Sequence, residues 1–167
     1  MTELSLHDDE NLMSLKTNIE KIKTAMISTI THSTRSHASP MHTVSVDEYG
    51  ALWFYAYNDS QRVLDISENN FVNVIYSSPE KGIYISVTGY AQLISDRKLL
   101  HKYWDEDYRT WAPDGPDAPG LYLLKISVSE AEMWDVETSA MTRFAKTTIA
   151  KIRDEQPNLD NHVIYHH

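Results

Sequence analysis

The run Ser60-Gln61-Arg62 has the residue types that an anion requires. A phosphate needs free backbone amides, a hydroxyl and a cation. These residues follow directly on an aromatic strand pattern, and Asn58-Asp59-Ser60 gives a helix-start signal, because short polar side chains cap the free amides of a first turn. A helix start offers amides and the positive end of the dipole. Ser60 adds a hydroxyl, and Arg62 a planar fork that matches phosphate oxygens. The competing reading is an ordinary serine cap followed by a solvated arginine. No Walker-type or dinucleotide glycine-rich loop competes for an anion elsewhere in the chain.

Other chemistries are poorly served. The 167 residues include no cysteine, which excludes disulfides, thiolate catalysis, zinc ribbons and cysteine-held clusters. The eight histidines form no HExxH or H-x-H pattern, so no metal site is expected. His162 and His166 stand one helical turn apart in the tail, a spacing at which a metal site is conceivable, while a terminal histidine pair equally suits a tag remnant. Glu130 and Glu132 read as surface groups at a strand end, Asp105-Glu106-Asp107 as a solvated loop, and Ser139 has no nucleophile-elbow context. A formal net charge of −9 argues against a nucleic-acid partner. No apolar run is long enough to span a bilayer, so no membrane partner is expected. Met1 to Glu10 is polar and acidic, without the basic start and apolar stretch of a signal peptide, so the chain is expected to stay in the cytoplasm. Four Trp and ten Tyr fill cores, but they also line pockets for flat ligands.

The elements that must position these residues follow from periodicity. Leu12, Leu15, Ile19 and Ile22 recur at helical steps and predict a helix over 8–23. Residues 25–30 are a candidate strand, and 32–40 read as a polar loop. Residues 41–57 predict a hairpin turning at Asp47-Glu48-Tyr49-Gly50. A short helix after Ser60 ends at Asn69-Asn70, and Phe71–Tyr76 is the next strand. Residues 83–94 alternate cleanly, with Gly89 marking a bulge or a close backbone approach. Ser95-Asp96 caps a further helix, and residues 111–120 form a Pro/Gly loop. Leu121–Val128 is a strand, Glu132–Asp135 ends another extended segment, and 139–155 carry a helical stripe with Met141, Phe144 and Ile149. Four to six antiparallel strands with inserted helices favour a small barrel over a Rossmann-type sheet.

Several stretches resemble the pyridoxamine 5′-phosphate oxidase-like superfamily of FMN-binding split barrels, and within it the general stress protein 26 group. Pro40-Met41 with its hairpin, Leu52-Trp53-Phe54-Tyr55 followed by Asp59-Ser60-Gln61-Arg62, and Tyr84 to Ala91 resemble successive blocks of that group. So do Trp111-Ala112-Pro113-Asp114-Gly115, Leu121 to Ile126 and Ala131 to Asp135. Their order and spacing cover the chain to about residue 150.

The resemblance implies an α+β, mainly β fold: a six-stranded antiparallel Greek-key split β-barrel with flanking helices. It implies one FMN-binding domain over 1–155, a tail over 156–167, and a homodimer with the flavin at the interface. It assigns Met41 and His42 to the flavin ring through their backbone, Tyr55 and Ala56 to the ring or ribityl chain, and Ser60 and Arg62 to the phosphate. Trp111 and Trp134 would cover the flavin from the other subunit. Of Trp53 and Phe54, strand alternation leaves only one on the flavin side.

The implied activity is a flavin-dependent oxidoreductase with a small-molecule electron donor or acceptor, linked to general stress. Non-catalytic flavin sensing, and a barrel that has changed ligand to haem or deazaflavin, stay open as alternatives. Ser39 stands where the group usually has arginine, leaving Arg35 or His37 as replacements, and Ala112 stands where it usually has phenylalanine. No Arg-x-His segment follows Trp134, which argues against pyridoxamine phosphate as substrate.

Overall fold

The computed structural model describes residues 3–31, 33–136 and 140–144. Helix α1 (Glu3–Ile22) buries Leu15 and Ile19, with Leu12 and Ile22 at the rim of the same apolar stripe. Two shorter helices, α2 (Gln61–Glu68) and α3 (Arg97–Lys102), interrupt the strands. Among the described residues, no helix is long and apolar enough to cross a membrane.

Eight strands form one antiparallel sheet: β1 (Thr24–Ile30), β2 (Ser36–His42), β3 (Ser45–Val46), β4 (Leu52–Tyr57), β5 (Phe71–Ser78), β6 (Ile83–Ile94), β7 (Leu121–Asp135) and β8 (Ala140–Phe144). The order is β2-β1-β5-β6-β7-β4-β3, with β8 pairing β7. β6 runs the length of β7 on one side. On the other side β4 covers Leu121–Ile126 and β8 covers Ala131–Asp135.

A bulge between Thr88 and Gly89 lets this long pair curl. The extra residue on β7, Ser129, shifts its inward set from Leu124, Ile126 and Val128 to Ala131 and Met133. Gly89 is required here, because a Cβ would lie 2.4 Å from the Ser127 carbonyl oxygen. The curled sheet encloses a core of Ile27, Phe54, Val72, Val74, Ile85, Val87 and Ile126 under α1 and α2. A smaller cluster of Trp53, Leu100, Ala112, Leu121 and Leu123 packs outside β4 and β7. The barrel is split: among the described residues no ladder joins the end strands β2 and β3.

The structure corrects several sequence expectations. Residues 36–40 are strand, not loop. β2 is an edge strand, so it tolerates polar residues and Pro40, which has no N–H to give. Residues 140–144 are strand, not helix, because β7 extends past β4 and offers them an open edge. The segments expected separately at 121–128 and 132–135 are one strand. The sheet has eight strands where six are expected. α1 starts at Glu3 rather than at residue 8. The acidic loop after Asp105 is a 3₁₀ turn, Glu106–Thr110. The rest of the expected C-terminal helix and the tail with His162 and His166 lie outside the described residues.

Candidate functional site

A cavity of about 350 Å³ opens where the two ends of the sheet approach without pairing. Thr24 of β1 and Pro40, Met41 and His42 of β2 line one side. Tyr55, Ala56 and Tyr57 of β4 and Leu121 of β7 line the other. Ser60 and Arg62 at the start of α2 close one end, and Tyr108, Trp111 and Ala112 stand over the opposite part.

The α2 end is polar and unsatisfied. Ser60 occupies the N-cap position in extended backbone, yet its side chain makes no capping bond. Its Oγ is buried without a partner, a state that native proteins seldom leave unexplained. The Gln61 and Arg62 amides precede the first bond of α2, which the Val63 N–H donates to the Ser60 carbonyl at 2.9 Å, and no acidic residue sits in the first turn. Arg62 donates from Nε and Nη2 to Ser39 Oγ at 3.0 and 2.5 Å. No described carboxylate forms an ion pair with Arg62. Burial holds its pKa below the ordinary arginine value, although a guanidinium keeps its charge at neutral pH.

The sequence left open what replaces the cation lost at Ser39. Arg35 and His37 do not line the cavity: Arg35 is exposed, and the His37 Nδ1 lies 2.8 Å from the Asp65 carboxylate. Ser39 instead accepts the fork of Arg62.

The opposite walls are flat and uncharged. The Trp111 indole stacks on the His42 imidazole with centroids 5.2 Å apart and planes at 23°. Tyr108 contacts His42 at 5.6 Å and Tyr55 at 5.7 Å. The Tyr55 hydroxyl donates to the Leu100 carbonyl at 2.6 Å. The 3₁₀ turn fixes the overhanging rings: Glu106 accepts from Trp104 Nε1 at 3.1 Å and from Arg109, which also donates to the Pro113 carbonyl at 3.0 Å. Burial, helped by the Lys23 charge, lowers the His42 pKa, so its ring is neutral at neutral pH. Burial raises the Tyr108 phenol, aided by Asp105 and Asp107, and raises Tyr55 well above its ordinary range. Among the described residues, the result is an aromatic slot with an arginine that no carboxylate pairs and an orphaned hydroxyl at its end. It suits a planar ligand carrying a phosphate.

Of the sequence-predicted residues, Met41, His42, Tyr55, Ala56, Ser60, Arg62 and Trp111 line this cavity. Trp111 stands over the cavity of its own chain, carried there by the 3₁₀ turn, where the resemblance brought it from a partner. Trp134 does not line it; it sits on β7 opposite Tyr84 of β6. Neither Trp53 nor Phe54 reaches it: Trp53 stacks on Tyr103 and Phe54 is in the main core. Thr24, Val44, Tyr57, Leu121 and Tyr108 were not singled out from the sequence. Tyr108 was legible only as an aromatic between Trp104 and Trp111 in a stretch that reads as solvated.

Comparison with known proteins agrees with the architecture. The family model described as pyridoxamine 5′-phosphate oxidase like matches residues 10–158. The protein bli-3 of Neurospora crassa is 23% identical over 133 residues, 74% of this chain, and the match spans 64% of that relative's length. A Clostridium acetobutylicum protein related to general stress protein 26 superposes with a TM-score of 0.71 at 18% identity, over 84% of this chain and 97% of its own. The general stress FMN/FAD binding protein of Xanthomonas citri does so at 0.67 and 20%, over 80% and 94%. A heme binding protein of Mycobacterium smegmatis shares the fold at 0.60 and 12%, over 77% and 55%. The curled, unclosed sheet is thus the split barrel of these structures, and with nearly all its length matched the chain belongs to the pyridoxamine 5′-phosphate oxidase like family.

Proposed function

We propose that this chain binds FMN in the cavity and acts as a flavin-dependent oxidoreductase on a small-molecule donor and acceptor, in a general stress role. The buried, unpartnered Ser60 hydroxyl beside the carboxylate-free Arg62 carries the reading. Those two groups and the first amides of α2 would hold the phosphate. The ring would lie along Met41, His42, Tyr55 and Ala56 under Trp111. A bound flavin supplies hydride or single-electron transfer; this chain supplies position, dryness and a neutral wall. His42, uncharged at neutral pH, offers a ring nitrogen that takes or returns a proton at the cavity wall.

A homodimer belongs to the same proposal. Met26 and Ile75 sit opposite one another on the outward face of β1 and β5, with Tyr84 exposed on β6. Pro40 is paired with Met26, and Thr24 lies two residues from it, so two cavity-lining residues share that face. A second copy seated there would close the cavity, with Trp134 of the partner subunit available to it. Sedimentation velocity over a range of concentrations tests this: a dimer at all working concentrations supports it, and a monomer opposes it.

The activity is tested by loading the protein with FMN and adding NADH or NADPH without oxygen. Bleaching of the flavin bands supports a nicotinamide-driven reductase. Retained colour without bleaching removes that donor class and favours sensing. A haem-type spectrum from the purified protein replaces the flavin reading altogether.

A further inference from the structure

The Asp65 carboxylate is buried to 1% exposure, the only charged side chain so enclosed among the described residues. It lies three residues after Arg62 on α2. Gln61 Nε2 donates to its Oδ1 at 2.9 Å, and Thr29 Oγ1 to its Oδ2 at 2.8 Å. His37 Nδ1 is 2.8 Å from the same Oδ2. Thr29 and His37 face each other directly in the β1–β2 ladder. Ser39, which accepts the Arg62 fork, is two residues along β2 from His37 and therefore on the same face.

Two points of the helix are thus tied to two points of the strand. Residues three apart on a helix have side chains about 5–6 Å apart. Residues two apart on a strand are separated by about 6.8 Å. The spans match, so Arg62 meets Ser39 while Asp65 meets His37. One tie would let α2 pivot about its start; two ties and the Thr29 bond fix its heading. That heading aims Ser60, the leading amides and Arg62 at one point.

We propose that Asp65 is a positioning residue for the anion end of the cavity, holding α2 against β1 and β2 so that the phosphate-binding groups converge. The proposal rests on the flavin-phosphate reading above. A purely structural carboxylate would affect every ligand of the cavity alike. A positioning role affects only a ligand that has a phosphate.

The test compares dissociation constants for FMN and for riboflavin, which has the same ring and no phosphate, by fluorescence titration. Asp65→Ala is expected to weaken FMN binding about tenfold, within the range of coupling in a shared hydrogen-bond network, and to leave riboflavin unchanged. The loss should shrink when Arg62 is already alanine, to the share that acts through Ser60 and the first amides. Asp65→Asn should restore the preference, because its oxygen accepts from Gln61 and its amide donates to Thr29 and to a neutral His37. If Asp65→Ala does not fold, His37→Ala and Thr29→Val each carry the test, with a smaller loss in the same direction. Equal weakening of both flavins, or a loss undiminished beside Arg62→Ala, overturns the proposal. A wild type that prefers FMN, with a ratio unmoved in every variant, overturns this proposal alone. A wild type with no preference overturns the phosphate reading and this proposal with it.

Discussion

Replacing Arg62 by alanine removes the cation that the cavity keeps free. Among the described residues the guanidinium donates only to the neutral Ser39 hydroxyl, so no described carboxylate balances its charge. A hydrogen bond to a charged group contributes about 1.5–3 kcal/mol. Losing it from a bound phosphate weakens FMN binding by about 10- to 150-fold, at about 1.4 kcal/mol per tenfold. Fold stability should change little, because half-buried Ser39 exchanges the guanidinium for water. Arg62→Lys should fall between, since it keeps the charge and loses the planar fork. The assay is a fluorescence titration with FMN, repeated with riboflavin. Riboflavin affinity should not move. An unchanged FMN affinity would refute the assignment of Arg62, and an equal loss for riboflavin would show that the substitution had damaged the cavity itself.

Three further outcomes follow from particular contacts. Ser60→Ala should leave the thermal midpoint of the ligand-free protein unchanged or slightly raised, because Oγ makes no capping bond and has no partner, while FMN affinity falls about two- to tenfold. Gly89→Ala places a Cβ 2.4 Å from the Ser127 oxygen, so the bulged β6–β7 pair must shift; a loss of about 2 kcal/mol or more should lower the melting temperature by at least about 4–8 °C in calorimetry. Burial pushes the Asp65 carboxyl up, but its bonds from Gln61, His37 and Thr29 outweigh that and hold it below the usual range. A carboxylate depressed in the folded state stabilises it above the unfolded pKa and loses that stabilisation as pH falls through the folded value. Denaturation midpoints measured below about pH 4 should therefore drop less steeply in Asp65→Asn than in the wild type.

The parts of the fold that the sequence made legible are those where one face is buried against a core. β6 alternates over its whole length and was readable with its bulge, because Ile85, Val87 and Ala91 point inward and Gly89 meets a carbonyl. α1 and the β4 strand were readable for the same reason. β2 was not, because an edge strand has only one partner and its inward positions, His37 and Ser39, serve polar contacts to α2. β8 was misread because its pairing depends on where β7 outruns β4, which no local pattern records.

The same division runs through the cavity. Ser60 and Arg62 were visible because their chemistry is local to one helix start. Tyr108 and the self-contained position of Trp111 were not, because a 3₁₀ turn between acidic residues decides both. Asp65 was invisible as a cavity support, since its three partners come from β1, β2 and its own helix.

The most direct test of FMN binding is an absorption spectrum of the wild-type protein after loading with FMN and gel filtration, with flavin and protein quantified in the eluted peak. The structure predicts about one flavin per chain, shifted bands near ~450 nm and co-elution with the protein. A colourless peak, or a haem spectrum in its place, would contradict the assignment of this cavity to FMN.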